Sequence, residues 1–464
     1  MAKTYLDYFR ALAAIPHGSG NTKAISDYCV RFAKERGLQS LQDDAGNVII
    51  FKNATNGSDE TVILQGHLDM VCAKKEGFAF DFARDALRLR EEGDFLFAQG
   101  TTLGGDDGIA VAYILAILDS DTLRHPNLEA VFTVDEEVGM LGAAALDLSP
   151  LRGTMLINVD SEEEGTLLTS CAGGVRADLT FVSADEKTAA DACLSVTLEG
   201  LPGGHSGTEI DKNHENAILA LAKLLQAAGV SRLCAIDGGT ADNAIPTSCA
   251  AVVADAPGLA DRLTDAFHAA KAAFAPSEQA AALTVVPAEA QSAFSKADTA
   301  RLLSLLCGAP NGVIARSAHV PGLVQTSLNL GTIATKGETV LTGHALRSSV
   351  GAEKRTLLAV LTAHAENHGA AVSTFGDYPA WEFRENSRLR ETIERCYERQ
   401  YGKPMAITAI HAGLECGIFC GKKKDLDCVS MGPDIFDIHT VDERLSLSSA
   451  ERTYRLLCSV LEEL

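Results

Sequence analysis

The stretch Val62-Ile-Leu-Gln-Gly-His-Leu-Asp69 decides the fold class, because an apolar run of strand length ends directly in polar residues. Apolar runs of similar length occupy 48–51, 128–134 and 155–159, and a long helical run at 108–118 lies between them. Strands that are apolar throughout and alternate with helices indicate a sheet that is covered on both faces. The first 170 residues therefore predict an α/β domain.

Helical patterns flank these strands at both ends of the chain. The segment 1–10 has the spacing of an amphipathic helix, and a second helix is expected over 21–36, where Gly37 follows as a stop. For the closing helix, Ser448 and Glu451 have the spacing of a capping box.

The pattern changes after Gly174, where strands become shorter and alternate with polar residues. An order of strand, helix, strand, strand, helix, strand can be traced over 176–287 and, less completely, over 298–376. Past Trp381 the α/β pattern returns. We therefore expect residues 1–174 and 380–464 to form one domain, interrupted by an inserted α+β domain at 175–379 that is built from two related halves.

Composition limits the possible partners. The 464 residues carry 40 Lys and Arg against 62 Asp and Glu, a formal net charge of −22, which disfavours nucleic acid and anionic membrane surfaces. Because no apolar run reaches about 18 residues, we expect no membrane span, and the N-terminal segment does not have the pattern of a signal peptide. The 12 cysteines are scattered rather than arranged as a disulfide framework, which favours reduced thiols and the cytoplasm.

Imidazole and carboxylate side chains collect where the expected strands end. These candidates are His67, Asp69, Asp106, Glu136, Glu137 and Asp160. Because the carboxyl ends of strands in an open α/β sheet face one crevice, the candidates could converge there. Taken singly, each also has a structural explanation, such as a polar contact, a solvated turn, a helix N-cap or a loop acid. Together they would repel one another unless cations neutralised them, and this donor set suits zinc or manganese, with two ions if one carboxylate is shared.

Several longer motifs agree with this interpretation. They are Ile15-Pro-His-Gly-Ser-Gly-Asn21, Leu64-Gln-Gly-His-Leu-Asp-Met70, Thr101-Thr-Leu-Gly-Gly-Asp106, Asp135-Glu-Glu-Val-Gly139, Asn158-Val-Asp-Ser-Glu162, Gly203-Gly-His-Ser-Gly207, Asn243-Ala-Ile-Pro246 and His411-Ala-Gly-Leu-Glu-Cys-Gly417. Over almost its whole length the chain resembles the aminoacyl-histidine dipeptidases, also called peptidase D or cytosol non-specific dipeptidases, a family of dinuclear zinc metallopeptidases.

The resemblance implies a catalytic domain with a mixed sheet flanked by helices, an inserted lid domain, and a role for each site residue. The implied metal ligands are His67 and Asp160 for one ion, Glu137 and His439 for the other, and Asp106 as the bridge, with Asp107 as the alternative bridge. The implied catalytic residues are Glu136 as general base, Asp69 as the acid that orients His67, and His205 as the group that polarises the scissile carbonyl. The implied substrate-binding residues are Asn243, Arg347, Gly413 and Glu415.

The activity that the resemblance implies is hydrolysis of unblocked dipeptides, including Xaa-His, with two Zn²⁺ and with Mn²⁺ or Co²⁺ as possible substitutes. A homodimer through the lid domain is implied in the same way. Two alternatives stay open: a related amidohydrolase that deacylates N-acyl amino acids, and a catalytically silent protein that binds peptides.

Overall fold

Eleven α-helices lie within the residues that the computed structural model describes, which are 3–289, 291–320 and 322–464. In chain order they are α1 (Tyr5–Ala13), α2 (Lys23–Glu35), α3 (Gly105–Asp119), α4 (Leu141–Ala145), α5 (Ala217–Ala227), α6 (Leu259–Lys271), α7 (Lys296–Gly308), α8 (Gly351–Asn367), α9 (Arg388–Tyr401), α10 (Glu415–Lys422) and α11 (Leu447–Glu463).

The strands of the same described residues range from two to 13 residues in length. They are β1 (Gln39–Gln42), β2 (Val48–Lys52), β3 (Thr61–His67), β4 (Leu89–Glu92), β5 (Phe95–Ala98), β6 (Asn127–Thr133), β7 (Met155–Asn158), β8 (Thr166–Cys171), β9 (Gly173–Val182), β10 (Thr188–Ala189), β11 (Cys193–Glu199), β12 (Gly204–His205), β13 (Leu233–Gly238), β14 (Ala244–Ile245), β15 (Cys249–Ala254), β16 (Ala282–Ala288), β17 (Ser292–Ala293), β18 (Gly312–Arg316), β19 (Val324–Lys336), β20 (Thr339–Ser348), β21 (Ala370–Tyr378), β22 (Ala406–Ile410), β23 (Asp427–Ser430), β24 (Ile435–Phe436) and β25 (Arg444–Ser446).

The chain divides into two compact units. Unit 1 contains residues 3–171, 381–409 and 414–464, and unit 2 contains the described residues of 172–380 together with 410–413.

Unit 1 is built on an eight-stranded sheet in the order β1-β2-β6-β3-β7-β23-β8-β22. Strands β6, β3, β7 and β23 run parallel, whereas β1, β2 and β8 pair antiparallel with their neighbours. The sheet is therefore mixed and flanked by helices, which confirms the fold class expected from the apolar runs. A smaller sheet in the order β24-β25-β5-β4 joins the C-terminal segment to the N-terminal part of the unit.

Helix α3 forms part of the core of unit 1. Every residue from Ile109 to Leu118 is buried, so the helix is apolar on all sides, as expected for one enclosed by other elements. Its N-cap, Gly104, has a φ of +67°, a left-handed conformation that glycine adopts without steric penalty.

The expected helices at the two ends of the chain are present, but one cap differs. Helix α1 begins with a capping box between Thr4 and Asp7. For α11 the predicted box of Ser448 and Glu451 is wrong, because the N-cap is Ser446, whose hydroxyl accepts from the Ser449 backbone. Glu451 instead forms an ion pair with Arg455 one turn later, at 2.7 Å.

Unit 2 is built on an antiparallel sheet in the order β16-β11-β15-β13-β19-β20-β9-β21, with β18 paired to β19, and it also contains the two-stranded sheets β10-β17 and β12-β14. The sheet consists of two groups of four strands, which in chain order are β11, β13, β15, β16 and β9, β19, β20, β21. When the strands of each group are numbered 1 to 4 in chain order, both groups have the spatial order 4-1-3-2 from the edge of the sheet inward. The groups meet where β13 pairs with β19. The two related halves therefore exist, but the expected bounds are wrong. Strand β9 pairs with β20 and β21, so it is the first strand of the second half although it precedes the first half in sequence.

Among the helices of the described residues, none has both the length and the apolar character that crossing a bilayer requires.

Candidate metal centre

The carboxyl ends of the parallel strands carry most of the candidate ligands. Strand β3 ends at His67, which lies opposite Thr133, the last residue of β6. Glu136 and Glu137 follow β6 within four residues, and Asp160 follows β7 by two. Parallel register thus delivers these side chains to one edge of the sheet.

A first group of three ligand atoms forms around His67. Its Nε2 lies 3.1 Å from Oδ1 of Asp106 and 3.8 Å from Oδ1 of Asp160. Ligand atoms of all three residues lie within 4.8 Å of one another, close enough to hold one metal ion. The His67 side chain is 1% exposed, so the group is shielded from water on that side.

A second group forms around His439, which lies in the loop after β24. Its Nε2 is 3.2 Å from Oδ2 of Asp106 and 3.1 Å from Oε1 of Glu137. These three residues also place ligand atoms within 4.8 Å of one another. Asp106 therefore turns one carboxylate oxygen to each group, which is the arrangement expected of a ligand shared by two ions.

The charges at this edge are crowded. Burial raises the pKa of Asp160 well above its usual range, and the negative charges of Asp107 and Asp106 raise it further. Burial likewise raises the pKa of Glu136 to about 8. The adjacent carboxylates of Asp106 and Glu137 raise the pKa of His439 to about 10. These three pKa shifts are expected where acids lie close together away from water, because positive charge relieves their mutual repulsion.

These residues fit divalent cations. The donor set is imidazole and carboxylate without thiolate, which is the chemistry of zinc and manganese sites. Within the described residues, the buried Oε1 of Glu137 accepts no hydrogen bond, although it faces the His439 ring. A buried carboxylate oxygen without a donor is costly unless a cation or water satisfies it.

Asp69 supports the loop that carries Glu136 and Glu137. Its carboxylate accepts hydrogen bonds from the Ser19 hydroxyl at 2.8 Å and from the backbone N–H groups of Glu136 and Glu137 at 2.9 and 3.3 Å. Burial acts to raise its pKa, but the neighbouring His67 ring and the hydrogen bonds from Glu136 and Ser19 outweigh it, and the pKa is lowered. The nearer contact to His67 Nδ1 is the Asp69 carbonyl at 3.0 Å, against 3.6 Å for the carboxylate.

Glu415 lies in a buried polar network behind the parallel strands. Its Oε2 accepts from the Gln65 amide at 2.5 Å and the Thr133 hydroxyl at 2.7 Å, and Asn158 donates to the other side of Gln65. Glu415 is fully buried, and within the described residues its Oε1 has no hydrogen-bond partner. Its contacts therefore lie with residues of strands β3 and β6, whereas Gly413 belongs to unit 2.

In unit 2, His205 and Asn243 lie side by side. Strand β12 pairs with β14, and the Ser206 N–H donates to the Asn243 carbonyl at 2.8 Å. The His205 Nδ1 accepts from the backbone N–H groups of Gly207 and Thr208 at 3.3 and 3.2 Å. Because Nδ1 accepts these two hydrogen bonds, the ring is neutral with its proton on Nε2. Burial and the charge of Arg347 lower the pKa of His205, which favours the same form.

Arg347 extends from β20 of unit 2 and is 7% exposed. Its Nη1 donates to the Tyr378 hydroxyl at 3.0 Å, whereas its buried Nε has no partner within the described residues. Burial and this positive charge lower the pKa of His411 to about 3. An arginine with an unpaired buried N–H favours an acidic group of a ligand.

Three supporting residues were missed by the sequence analysis: Ser19, Gln65 and Glu443. Ser19 and Gln65 lie within recognised motifs, so the motifs were the signal for them. Glu443 is 3% exposed and accepts backbone hydrogen bonds from residues 103–106, although the sequence around it is that of an ordinary charged turn. Burial raises its pKa to about 7, partly offset by those N–H groups.

Comparisons with known proteins agree with this geometry. The family model described as peptidase family M20/M25/M40 matches residues 63–463. The cytosol non-specific dipeptidase of Escherichia coli K12 is 36% identical over 473 aligned positions, which cover 99% of this chain and 97% of that protein.

Solved structures extend the likeness to the fold. The aminoacylhistidine dipeptidase of Vibrio alginolyticus has a TM-score of 0.90 and 34% identity, with coverage of 99% of this chain and 96% of that one. A tripeptidase from Staphylococcus aureus shares the fold at a TM-score of 0.57 and 15% identity, with coverage of 100% and 98%. The resemblance to aminoacyl-histidine dipeptidases is thereby confirmed, and the chain belongs to the peptidase family M20/M25/M40.

Proposed function

We propose that this protein hydrolyses unblocked dipeptides, Xaa-His among them, at a centre that holds two divalent cations, with zinc as the expected metal and manganese or cobalt as possible substitutes. The observation that carries the proposal is the position of Asp106, whose two carboxylate oxygens face two separate groups of ligand atoms. The names of the Escherichia coli and Vibrio alginolyticus relatives, both dipeptidases, support the substrate class.

Glu136 is the proposed general base. Its backbone N–H is held by Asp69, and its partly buried carboxyl has a pKa raised by burial to about 8, which favours a group that takes up and releases protons near neutral pH. It would accept a proton from the attacking water and deliver it to the leaving amine. The bound cations supply Lewis acidity and lower the pKa of water.

The residues of unit 2 are proposed to bind the substrate. The neutral His205 offers an Nε2–H that can donate to a carbonyl oxygen, and Asn243 lies beside it. Arg347 offers planar N–H groups that suit the terminal carboxylate of a dipeptide. Fixing that carboxylate would also determine which bond is cut.

The test is a metal and substrate assay on the purified protein. Dialysis against a chelator should abolish cleavage of dipeptides, and Zn²⁺, Mn²⁺ or Co²⁺ should restore it, with about two ions bound per chain. Cleavage of N-acyl amino acids in place of dipeptides would identify an amidohydrolase. Binding of peptides without turnover would identify a silent protein.

A matched pair of variants tests the base. Glu136→Gln should lower kcat by about 10²- to 10⁴-fold, the range for general base catalysis. Glu163→Gln changes an exposed glutamate of the loop after β7 and should leave kcat unchanged. Equal kcat for the wild type and Glu136→Gln would contradict the proposed mechanism.

We further propose a cytoplasmic location and a homodimer through unit 2. The word cytosol in the name of the Escherichia coli relative and the 12 free cysteines support the location. Light scattering coupled to size-exclusion chromatography tests the dimer, for which the family resemblance is the support.

A further inference from the structure

One buried carboxylate, that of Glu443, receives the backbone of the segment that leads into Asp106. Its Oε2 accepts from the N–H groups of Leu103 and Gly104 at 2.8 and 3.1 Å. Its Oε1 accepts from those of Gly105 and Asp106 at 2.8 and 3.4 Å. Four consecutive N–H groups at the start of α3 thus converge on one side chain that lies about 340 positions away in sequence.

Glu443 also belongs to the segment that carries His439. Between them, the Glu443 N–H donates to the Thr440 carbonyl at 3.3 Å, and the Thr440 hydroxyl donates to the Asp437 carbonyl at 2.6 Å. Strand β25 begins at the next residue, Arg444, and pairs with β5 and β24. The segment between β24 and β25 is therefore held at both ends, and a short hydrogen-bonded turn connects Glu443 with His439.

The Glu443 carboxylate adds negative charge beside Asp106, which is unfavourable by itself, so its presence needs a physical explanation. Residues 103–105 are buried, so their N–H groups need a partner within the protein. A neutral amide or a water could satisfy some of them without the added charge. A carboxylate satisfies all four and ties together two segments whose tips, Asp106 and His439, face each other at 3.2 Å.

We propose that Glu443 is a positioning residue of the metal centre: by binding the 103–106 backbone it fixes Asp106 against His439, so that the second group of ligands is formed before a cation arrives. The proposal rests on the proposed function, because it assumes that the centre holds two ions. It assigns Glu443 no contact with substrate.

Glutamine is the informative replacement. Each oxygen of Glu443 faces two N–H groups, so whichever way the substituted amide turns, its NH₂ group opposes two donors. The Glu443→Gln variant should therefore displace the 103–106 segment. Since partners that orient metal ligands typically change metal affinity by about 10- to 100-fold, we expect the weaker of the two dissociation constants to rise by about that factor.

Unit 1 offers a matched control in Glu129. It is also 3% exposed, and its carboxylate accepts from the backbone N–H groups of Arg152 and Gly153 at 2.8–3.1 Å. Glu129→Gln makes the same chemical change to a buried carboxylate that binds backbone donors, but the 152–153 segment that Glu129 binds carries none of the proposed ligands. It should lower the free energy of unfolding without changing either metal dissociation constant.

The experiment titrates Zn²⁺, and separately Mn²⁺, into the metal-free full-length proteins in competition with a chromogenic chelator, after circular dichroism has verified folding. Weaker binding of one ion by Glu443→Gln, with wild-type constants for Glu129→Gln, supports the proposal. Glu443→Asp keeps the charge but shortens the side chain. It provides the same comparison if the glutamine variant does not fold, and a smaller loss of affinity supports the proposal.

Wild-type constants for both ions in either folded Glu443 variant would overturn the positioning role. Equal losses of metal affinity in the Glu443 and Glu129 variants would also overturn it, since they would indicate general loosening of unit 1. Failure of the wild type itself to bind two ions would instead refute the proposed function. The two failures are thus distinguishable.

Discussion

Replacing Asp106 with asparagine tests the shared ligand directly. An asparagine side chain has nearly the same shape but a single oxygen, so its NH₂ group must face either His67 or His439, which lie 3.1 and 3.2 Å from the present oxygens. One of the two ligand groups then loses its carboxylate oxygen, whichever rotamer forms. The protein should bind one ion tightly and the other weakly or not at all.

The size of the effect follows from burial. The Asp106 side chain is 9% exposed, and removing one partner of a buried charge pair typically costs about 3–5 kcal/mol. At about 1.4 kcal/mol per factor of ten, this corresponds to a loss of about 10²- to 10³-fold or more in affinity for the second ion. Elemental analysis after dialysis should show about two metal ions per wild-type chain and about one per variant chain.

Asp107 supplies the control within the same turn. It is 1% exposed, and its Oδ2 accepts from the His67 backbone N–H at 3.1 Å, a bond that an asparagine oxygen can keep. Asp107→Asn should therefore retain both ions. Two ions in Asp106→Asn together with one in Asp107→Asn would refute the assignment of Asp106 as the bridge.

Three further predictions concern unit 2 and the core. Arg347→Met should raise KM for dipeptides by about 10- to 100-fold, which is the contribution of hydrogen bonds to a charged group. The control Arg316→Met, at an exposed position, should leave KM unchanged. Equal KM values for both variants in steady-state kinetics would contradict the role of Arg347. Leu115→Ala should lower the free energy of unfolding by about 2–5 kcal/mol, because Leu115 is fully buried in α3, whereas Leu41→Ala, at a position 41% exposed, should change it by less than about 0.5 kcal/mol in urea titrations. Burial lowers the pKa of His344 to about 4 in the folded protein, whereas the unfolded chain has a pKa near 6.5. As the pH falls, the unfolded chain therefore binds this proton first. Protonation of His344 should thus lower the free energy of unfolding by about 2–3 kcal/mol between about pH 7 and about pH 4.5. His344→Leu should make the loss of stability over that interval smaller by this amount, and an unchanged pH dependence would contradict the pKa.

The parallel strands of unit 1 could be predicted from the sequence because their signals are local. Strands β3, β6 and β7 are short, mainly apolar runs that end where polar residues begin, so these strands and the candidate ligands that follow them could be located without knowledge of strand pairing. His439, the proposed ligand from the far end of the chain, has no such signal. It sits in a loop with a φ of +62°, and only the family resemblance pointed to it.

The bounds of the halves of unit 2 could not be predicted, because strand order is a property of pairing. The β9 sequence alternates in burial like that of β11, and nothing local shows that it joins β20 rather than the strands that follow it. The misplaced cap of α11 has a related cause. Ser446 and Ser448 both suit an N-cap, and both hydroxyls donate to Asp94, at 2.7 and 2.8 Å, so residue type alone does not distinguish them.

The supporting residues of the metal centre show why ligands are easier to predict than the groups that hold them. A ligand is recognised by its chemistry, since few other reasons place histidine and several acids at adjoining strand ends. Glu443 is an ordinary acid in sequence, and Glu415 was predicted from its motif as a substrate-binding residue. The burial of both becomes visible only when segments more than 300 positions apart are brought together. Because buried acids raise the cost of the metal-free state, the same contacts that shape the centre should also make its stability depend on the bound cations.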